Sequence, residues 1–195
     1  MIDDVGGRML WATYENAVMW CVTLTRGVAP EEVITAYGCD PGDSRFVDMD
    51  QAIEWMGDCD PEALLVPLRF GRIGEWSFCY EKSTNVGSIN LDVLARLSAK
   101  SEAFLLEVGG SGVNHFGYWR NGRAVESFEP TLLSRRPAPP HPWWDAVQER
   151  RRAAGKPYPG MLPVLEVVTE HVGAVLDDVT LAGELRTVMV KDPYT

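Results

Sequence analysis

Residues 102–130, EAFLLEVGGSGVNHFGYWRNGRAVESFEP, constrain the fold more than any other part of the chain. Asn121-Gly122 sits between two alternating runs. A two-residue type I′ turn needs positive φ at both central positions, which glycine adopts freely and asparagine tolerates. Such a turn fixes a register: Arg120 faces Arg123, Trp119 faces Ala124, Tyr118 faces Val125 and Phe116 faces Ser127. Upstream, Ala103, Leu105 and Glu107 alternate with Phe104, Leu106 and Val108, the period of a strand. Pro130 ends the third strand because it cannot donate to a ladder. Three consecutive antiparallel strands follow, and the rest of the chain must pack around them.

Three further strands read at 17–25, 64–70 and 75–81, where apolar residues alternate along the chain. Helices are expected after Pro30, which suits a first helical position, and from Asp48, with Gln51 completing a capping box. In the second of these, Met49, Ala52, Ile53 and Met56 mark an inward face. Further helices are predicted at 90–97, 143–154, 163–172 and, in the tail, 181–186, with 187–190 a candidate strand. The order predicts an α+β fold: one domain whose twisted, mostly antiparallel sheet of about six strands has helices packed against it. Residues 1–16 form an N-terminal arm and 17–133 the sheet core. Residues 134–195 bring a proline-rich segment and C-terminal helices onto that core.

Composition narrows the function classes. The net charge of −10 over 195 residues makes nucleic acid an unfavourable partner, since phosphate neutralisation needs a basic face. No apolar run is long enough to span a bilayer, and the N-terminus has acids where a signal peptide would be basic. The expectation is a cytoplasmic protein with no membrane partner. Cys21, Cys39, Cys59 and Cys79 form no CxxC pair, and His115, His141 and His171 are far apart, so no metal ligand set and no cofactor is assigned.

The run Trp20-Cys21-Val22-Thr23-Leu24-Thr25-Arg26-Gly27, followed by Pro30-Glu31-Glu32-Val33 and Tyr37-Gly38, resembles a family of small actinobacterial proteins described only as a domain of unknown function. Gly71-Arg72-Ile73-Gly74-Glu75-Trp76, Leu97-Ser98, and Gly122-Arg123 through Ser127-Phe128-Glu129-Pro130 are similar to it in order and spacing. The resemblance runs from about Trp20 to Gly173. It implies a shared fold and brings no activity with it.

Chemistry has few footholds. Gly110-Ser111-Gly112 lacks the helix that a nucleophile elbow requires. Among the strand carboxylates Glu81, Glu107, Glu126 and Glu129, the first and last end strands beside loops, so Glu81, Glu129 and His115 are the candidate catalytic groups. Residues 40–62 hold eight acids against Arg45, which reads as a solvated acidic face, or as a weaker candidate for a cation site. Downstream, Arg135, Arg136, Trp143, Trp144, Arg150 and Arg151 combine bases with paired tryptophans, a composition found in interface hot spots. The same tryptophans would equally serve to anchor the proline segment on the sheet.

Together these features point to a non-enzymatic protein-interaction module. It would bind a protein partner or itself through a surface acidic at one place and basic at another. Analogy with small acidic proteins suggests an immunity- or regulator-like role in a bacterial conflict system. The alternative is a small hydrolase-type enzyme that uses Glu81, Glu129 or His115 in a cleft beside the sheet.

Overall fold

A computed structural model describes residues 9–12, 19–59, 61–110, 113–130, 141–154 and 160–192 of the chain. Its strands are β1 (Trp20–Arg26), β2 (Arg45–Val47), β3 (Leu65–Ile73), β4 (Trp76–Lys82), β5 (Glu102–Val108), β6 (Asn114–Arg120), β7 (Arg123–Phe128) and β8 (Leu185–Lys191). They form one sheet in the order β2-β8-β3-β4-β1-β5-β6-β7, antiparallel at every pairing. The helices are α1 (Pro30–Ala36), α2 (Met49–Asp58), α3 (Val86–Ile89), α4 (Leu91–Leu97), α5 (Pro142–Ala153), α6 (Leu162–Val172) and α7 (Asp178–Ala182).

The sheet has eight strands, not about six. β2 is three residues long, too short to show a period. The expected helix at 181–186 ends at Ala182, with Gly183 as its C-cap, and β8 begins at Leu185. β8 then enters the slot between β2 and β3, a pairing set by distant residues. Arg69 in β3 ties this region together from a buried position. Its guanidinium donates to the carbonyls of Val47, Leu181 and Gly183, joining β2 and α7 to β3.

Both sheet faces are covered. Trp20, Val22, Trp76, Phe78, Phe104, Leu106 and Phe116 point toward Trp144 and Val147 of α5 and Val164 and Val168 of α6. On the other face Leu68, Phe70, Cys79 and Ala103 meet Val33 and Ile34 of α1 and Val93 and Leu97 of α4. β1 is therefore buried on both faces up to the exposed Arg26. Met9 and Trp11, within the described residues 9–12 of the N-terminal arm, are buried too, and the Trp11 indole N–H donates to Leu176 O at 2.8 Å.

The hairpin departs from the expected register in an informative way. Asn121 and Gly122 have φ of 51° and 74°, as a type I′ turn requires. Arg120 faces Arg123 and Trp119 faces Ala124, but a β-bulge then pairs Tyr118 with Glu126, Gly117 with Ser127 and Phe116 with Phe128. One extra residue reverses which face the rest of β7 presents. Val125 turns outward, and Glu126 turns under α5, where it is 4% exposed. Its carboxylate accepts the N–H groups of Trp143 (3.1 Å) and Trp144 (2.7 Å). The helix has no side-chain N-cap of its own at His141, so a sheet carboxylate satisfies its first turn.

The α2 helix is the other correction. Asp48 caps it as expected, accepting from Gln51 N at 2.8 Å. Of its apolar stripe, however, only Ala52 is buried and Met49 half-buried, while Ile53 and Met56 are 45% and 37% exposed. α2 sits at the β2 end of the sheet, where the layer that would cover the rest of its stripe is missing among the described residues.

Candidate functional site

Register places four polar residues in one row across the sheet. Cys21 of β1 is the partner of Glu81 on β4 and of Glu107 on β5, and Glu107 is the partner of His115 on β6. Directly paired residues share a face, so all four project toward the side of α1 and α4. Glu81 is fully buried. It accepts from Tyr37 Oη at 2.9 Å and from Gly87 N at 3.1 Å, and Thr23 Oγ1 lies 3.0 Å from the same phenol oxygen. Burial pushes its pKa up to about 7, against the pull of the Tyr37 and Gly87 donors. Burial, with help from Glu81, holds the Cys21 and Cys79 thiols well above their ordinary range, so both act as packed, unreactive groups.

Glu107 is held by the same loop that holds Glu81. Asn85 Nδ2 donates to one of its oxygens and Ser88 Oγ to the other, while Gly87 serves Glu81. Glycine at 87 is dictated by contact: a Cβ there would lie 2.4 Å from Tyr37 Oη and 2.8 Å from Glu81 Oε1. On the far side of Glu107, His115 Nδ1 is 4.0 Å from Oε2, and His115 Nε2 is 2.8 Å from Ser127 Oγ. Burial lowers the His115 pKa, partly offset by Glu107, so the imidazole is neutral at pH 7.

His115 opens onto a cleft of about 580 Å³ at the ends of β5, β6 and β7. Glu107, Asn114, Ser127 and Glu129 supply its polar wall, and Met19 and Phe128 part of its apolar wall. Glu129 Oε1 accepts from Asn114 N at 3.0 Å. Asn114 is 1% exposed, and among the described residues neither its amide nitrogen nor its amide oxygen has a hydrogen-bond partner. The expected catalytic trio is thus split. His115 and Glu129 share the cleft, whereas Glu81 lies two strands away from β5 in the row and is sealed from it. Ser127 was hidden by the bulge: with Phe116 opposite Ser127, its hydroxyl would face the other side of the sheet from His115. Ser111 lies outside the described residues.

A family model described as "Family of unknown function (DUF6461)" matches residues 8–158. The chain belongs to this family. No curated protein and no solved structure matches it. The polar row and the cleft fall inside the part that defines DUF6461, while α6, α7 and β8 lie beyond it.

The expected binding residues occupy different surroundings in this DUF6461 chain. Trp144 is buried and meets Phe128 edge-on, with centroids 5.2 Å apart. Trp143 is half-buried among Phe104, Tyr118 and His171, at 4.8, 5.1 and 5.1 Å. The pair anchors α5 on the sheet and does not form an exposed patch. Arg151 is buried and donates to Pro130 O at 2.7 Å, and Arg150 pairs with Glu170 and, at 3.9 Å, Glu166. Arg135 and Arg136 lie outside the described residues. In the acidic stretch, Asp40 and Asp48 serve as caps, and no group of three or more metal-ligating side chains occurs among the described residues. Nor is any described helix long and apolar enough to cross a membrane.

Proposed function

We propose that this DUF6461 member is a non-enzymatic interaction module that meets a basic protein partner at the α2 end of its sheet. The observation that carries the reading is the uncovered half of the α2 stripe: Ile53 and Met56 stand exposed among the exposed acids Asp50, Glu54 and Asp58. Acids outnumber bases around these anchors, Arg45 stacking on Trp55 at 4.2 Å and Arg186 on Phe46 at 4.6 Å, and apolar anchors in a mainly acidic rim suit a complementary partner. The net charge of −10 would steer a basic one toward it. Phe46 on the edge strand β2, 61% exposed, adds apolar area at the same end.

The test compares wild-type protein with an Ile53→Asp/Met56→Asp variant as bait in the native host. Both side chains are exposed, so the variant keeps its circular dichroism spectrum. A stoichiometric basic partner that is held by wild type, released by added salt and absent from the variant supports the proposal. A partner retained equally by both, or a wild-type protein that stays monomeric and alone, overturns it.

One arrangement favours a hydrolase instead. Ser127 Oγ, His115 Nε2, His115 Nδ1 and Glu107 follow in the order nucleophile, base and orienting acid, with a neutral imidazole. Glu81 has no place in such a mechanism. A fluorophosphonate probe that labels wild type, but neither Ser127→Ala nor His115→Ala, would support this reading. A folded wild-type protein that takes no label removes it.

A further inference from the structure

Between β4 and α4 the chain lies on the α1 and α4 side of the sheet as a short strap, residues 83–90. Carboxylates hold it there more than apolar contact does. Gly87 N donates to both oxygens of Glu81, at 3.1 and 3.3 Å, while Asn85 Nδ2 donates to one oxygen of Glu107 and Ser88 Oγ to the other. Of its two large apolar side chains, Val86 is half-buried and Ile89 is 51% exposed. At its start Ser83 has φ of 63°, a left-handed conformation that a residue with a Cβ adopts only at a cost. Segments with few buried apolar contacts open locally before the rest of a fold does. We infer that residues 83–90 are a strap that opens when Glu81 ionises, and that its opening releases Glu107 to His115.

The driving force is a fully buried carboxylate without a counter-charge. Facing Glu81 are the Cys21 thiol from β1, the Tyr37 phenol from α1, the Cys79 thiol from its own strand and, across Cys21 in the row, the Glu107 carboxylate of β5. α3 brings backbone N–H groups, β3 brings Leu68, and α4 packs Leu94 against Cys21. Among the described residues no cation pairs with Glu81. The neutral acid has a place for its proton: its O–H can donate to Tyr37 Oη, 2.9 Å away, while the Tyr37 O–H turns to Thr23 Oγ1 at 3.0 Å. The ionised acid reverses that chain and remains a charge cut off from water. Tyr37 is fixed on α1, which buries Val33 and Ile34, so the strap is the weaker of the two covers. The closed strap keeps a proton on Glu81 that the open one releases, so rising pH opens it. Opening also withdraws Asn85 and Ser88 from Glu107. Ser88 Oγ occupies Glu107 Oε2, the same oxygen that lies 4.0 Å from His115 Nδ1, and Asn85 is part of the cleft wall. With the strap away, that oxygen can accept from the imidazole. The inference needs neither the α2 surface nor a reaction at Ser127; where Ser127 does react, the closed strap leaves its base unoriented.

Backbone amide hydrogen exchange of the full chain at pH 5.5 and pH 7.5, corrected for the intrinsic pH dependence of exchange, tests the strap. The Gly87 amide should be less protected than that of Leu105 in β5 at both values, and its protection should fall by about tenfold from the lower pH to the higher. Glu81→Gln, with nothing to ionise, should lose that fall. Ser88→Ala leaves Glu81 in place and removes one hold on Glu107. It should lower Gly87 protection by about tenfold at both pH values, the loss of one charge-assisted hydrogen bond. It should also move the His115 titration, followed by the carbon-bound ring protons in NMR, to higher pH, because the freed Glu107 oxygen then pairs with the imidazolium. The wild-type and Ser88→Ala measurements decide the matter even where Glu81→Gln fails to fold. Gly87 protection equal to that of Leu105 would mean that the strap opens only with the whole fold, and would overturn the inference. So would protection that rises with pH, a fall that Glu81→Gln retains, or a His115 titration unmoved by Ser88→Ala.

Discussion

At the scale of single residues, Glu81 sets a pH dependence whose sign is fixed by burial. Its folded pKa of about 7 stands above the ordinary carboxylate value of 4.5. Below pH 4.5 the group is protonated whether the chain is folded or not. Between 4.5 and 7 the unfolded chain releases a proton that the folded chain keeps, so stability falls as pH rises and levels off above about 7. At 1.36 kcal/mol per unit the fall amounts to about 3 kcal/mol. Glu81→Gln, permanently neutral, should therefore lose less stability than wild type between pH 5 and pH 8, as read from urea midpoints at the two pH values. A wild-type midpoint that rises over that interval while the variant's stays level would contradict the assignment. The neighbouring Gly87 sets a steric limit on the same carboxylate. Gly87→Ala places a methyl inside the contact distance of Tyr37 Oη and Glu81 Oε1, and should cost roughly 1–3 kcal/mol in the same assay.

At the scale of elements, the bulge between β6 and β7 links local sequence to the site. The Asn121-Gly122 turn was legible because its φ requirement is local, and so were the alternation of β5 and the Asp48 cap of α2. The bulge was not legible. It answers to the need of α5 for a capping carboxylate and to the fit of Phe128 against Phe116, whose rings stack at 4.6 Å. That one slip decides that Glu126 is buried, that Val125 is exposed and that Ser127 reaches His115. Glu126→Ala should remove the first-turn partner of α5 and cost roughly 1–3 kcal/mol, with a smaller loss in Glu126→Gln, which keeps one acceptor. Chemical denaturation gives the size of each loss, and near-ultraviolet circular dichroism of the Trp143–Trp144 pair reports whether the helix still docks. Equal stability of all three proteins would show that the cap contributes nothing. The tryptophans illustrate the same limit on sequence reading. Their composition fits an interface and a core anchor equally, and only the neighbouring rings decide for the anchor.

At the scale of the molecule, sheet order determines which parts of the chain depend on one another. β8 is the last of the described strands in sequence yet interior in the sheet, between β2 and β3, and among the described residues it is the only strand paired with β2. The segment that matches the DUF6461 model, residues 8–158, leaves out α6, α7 and β8. Those elements and their connections bury Val164, Leu165, Val167, Val168, Leu176, Leu181, Leu185 and Val188. At about 1.5–3 kcal/mol for each buried side chain, their loss matches or exceeds the roughly 5–15 kcal/mol that holds a domain folded. Arg69 would also lose the Leu181 and Gly183 carbonyls and keep a buried charge with only Val47 O as a backbone acceptor. A fragment ending at residue 158 should therefore show no cooperative unfolding and poor amide dispersion, whereas the full chain should unfold in one sharp transition. If the shorter fragment unfolds cooperatively at a midpoint near that of the full chain, the C-terminal elements are an appendage and not part of the core.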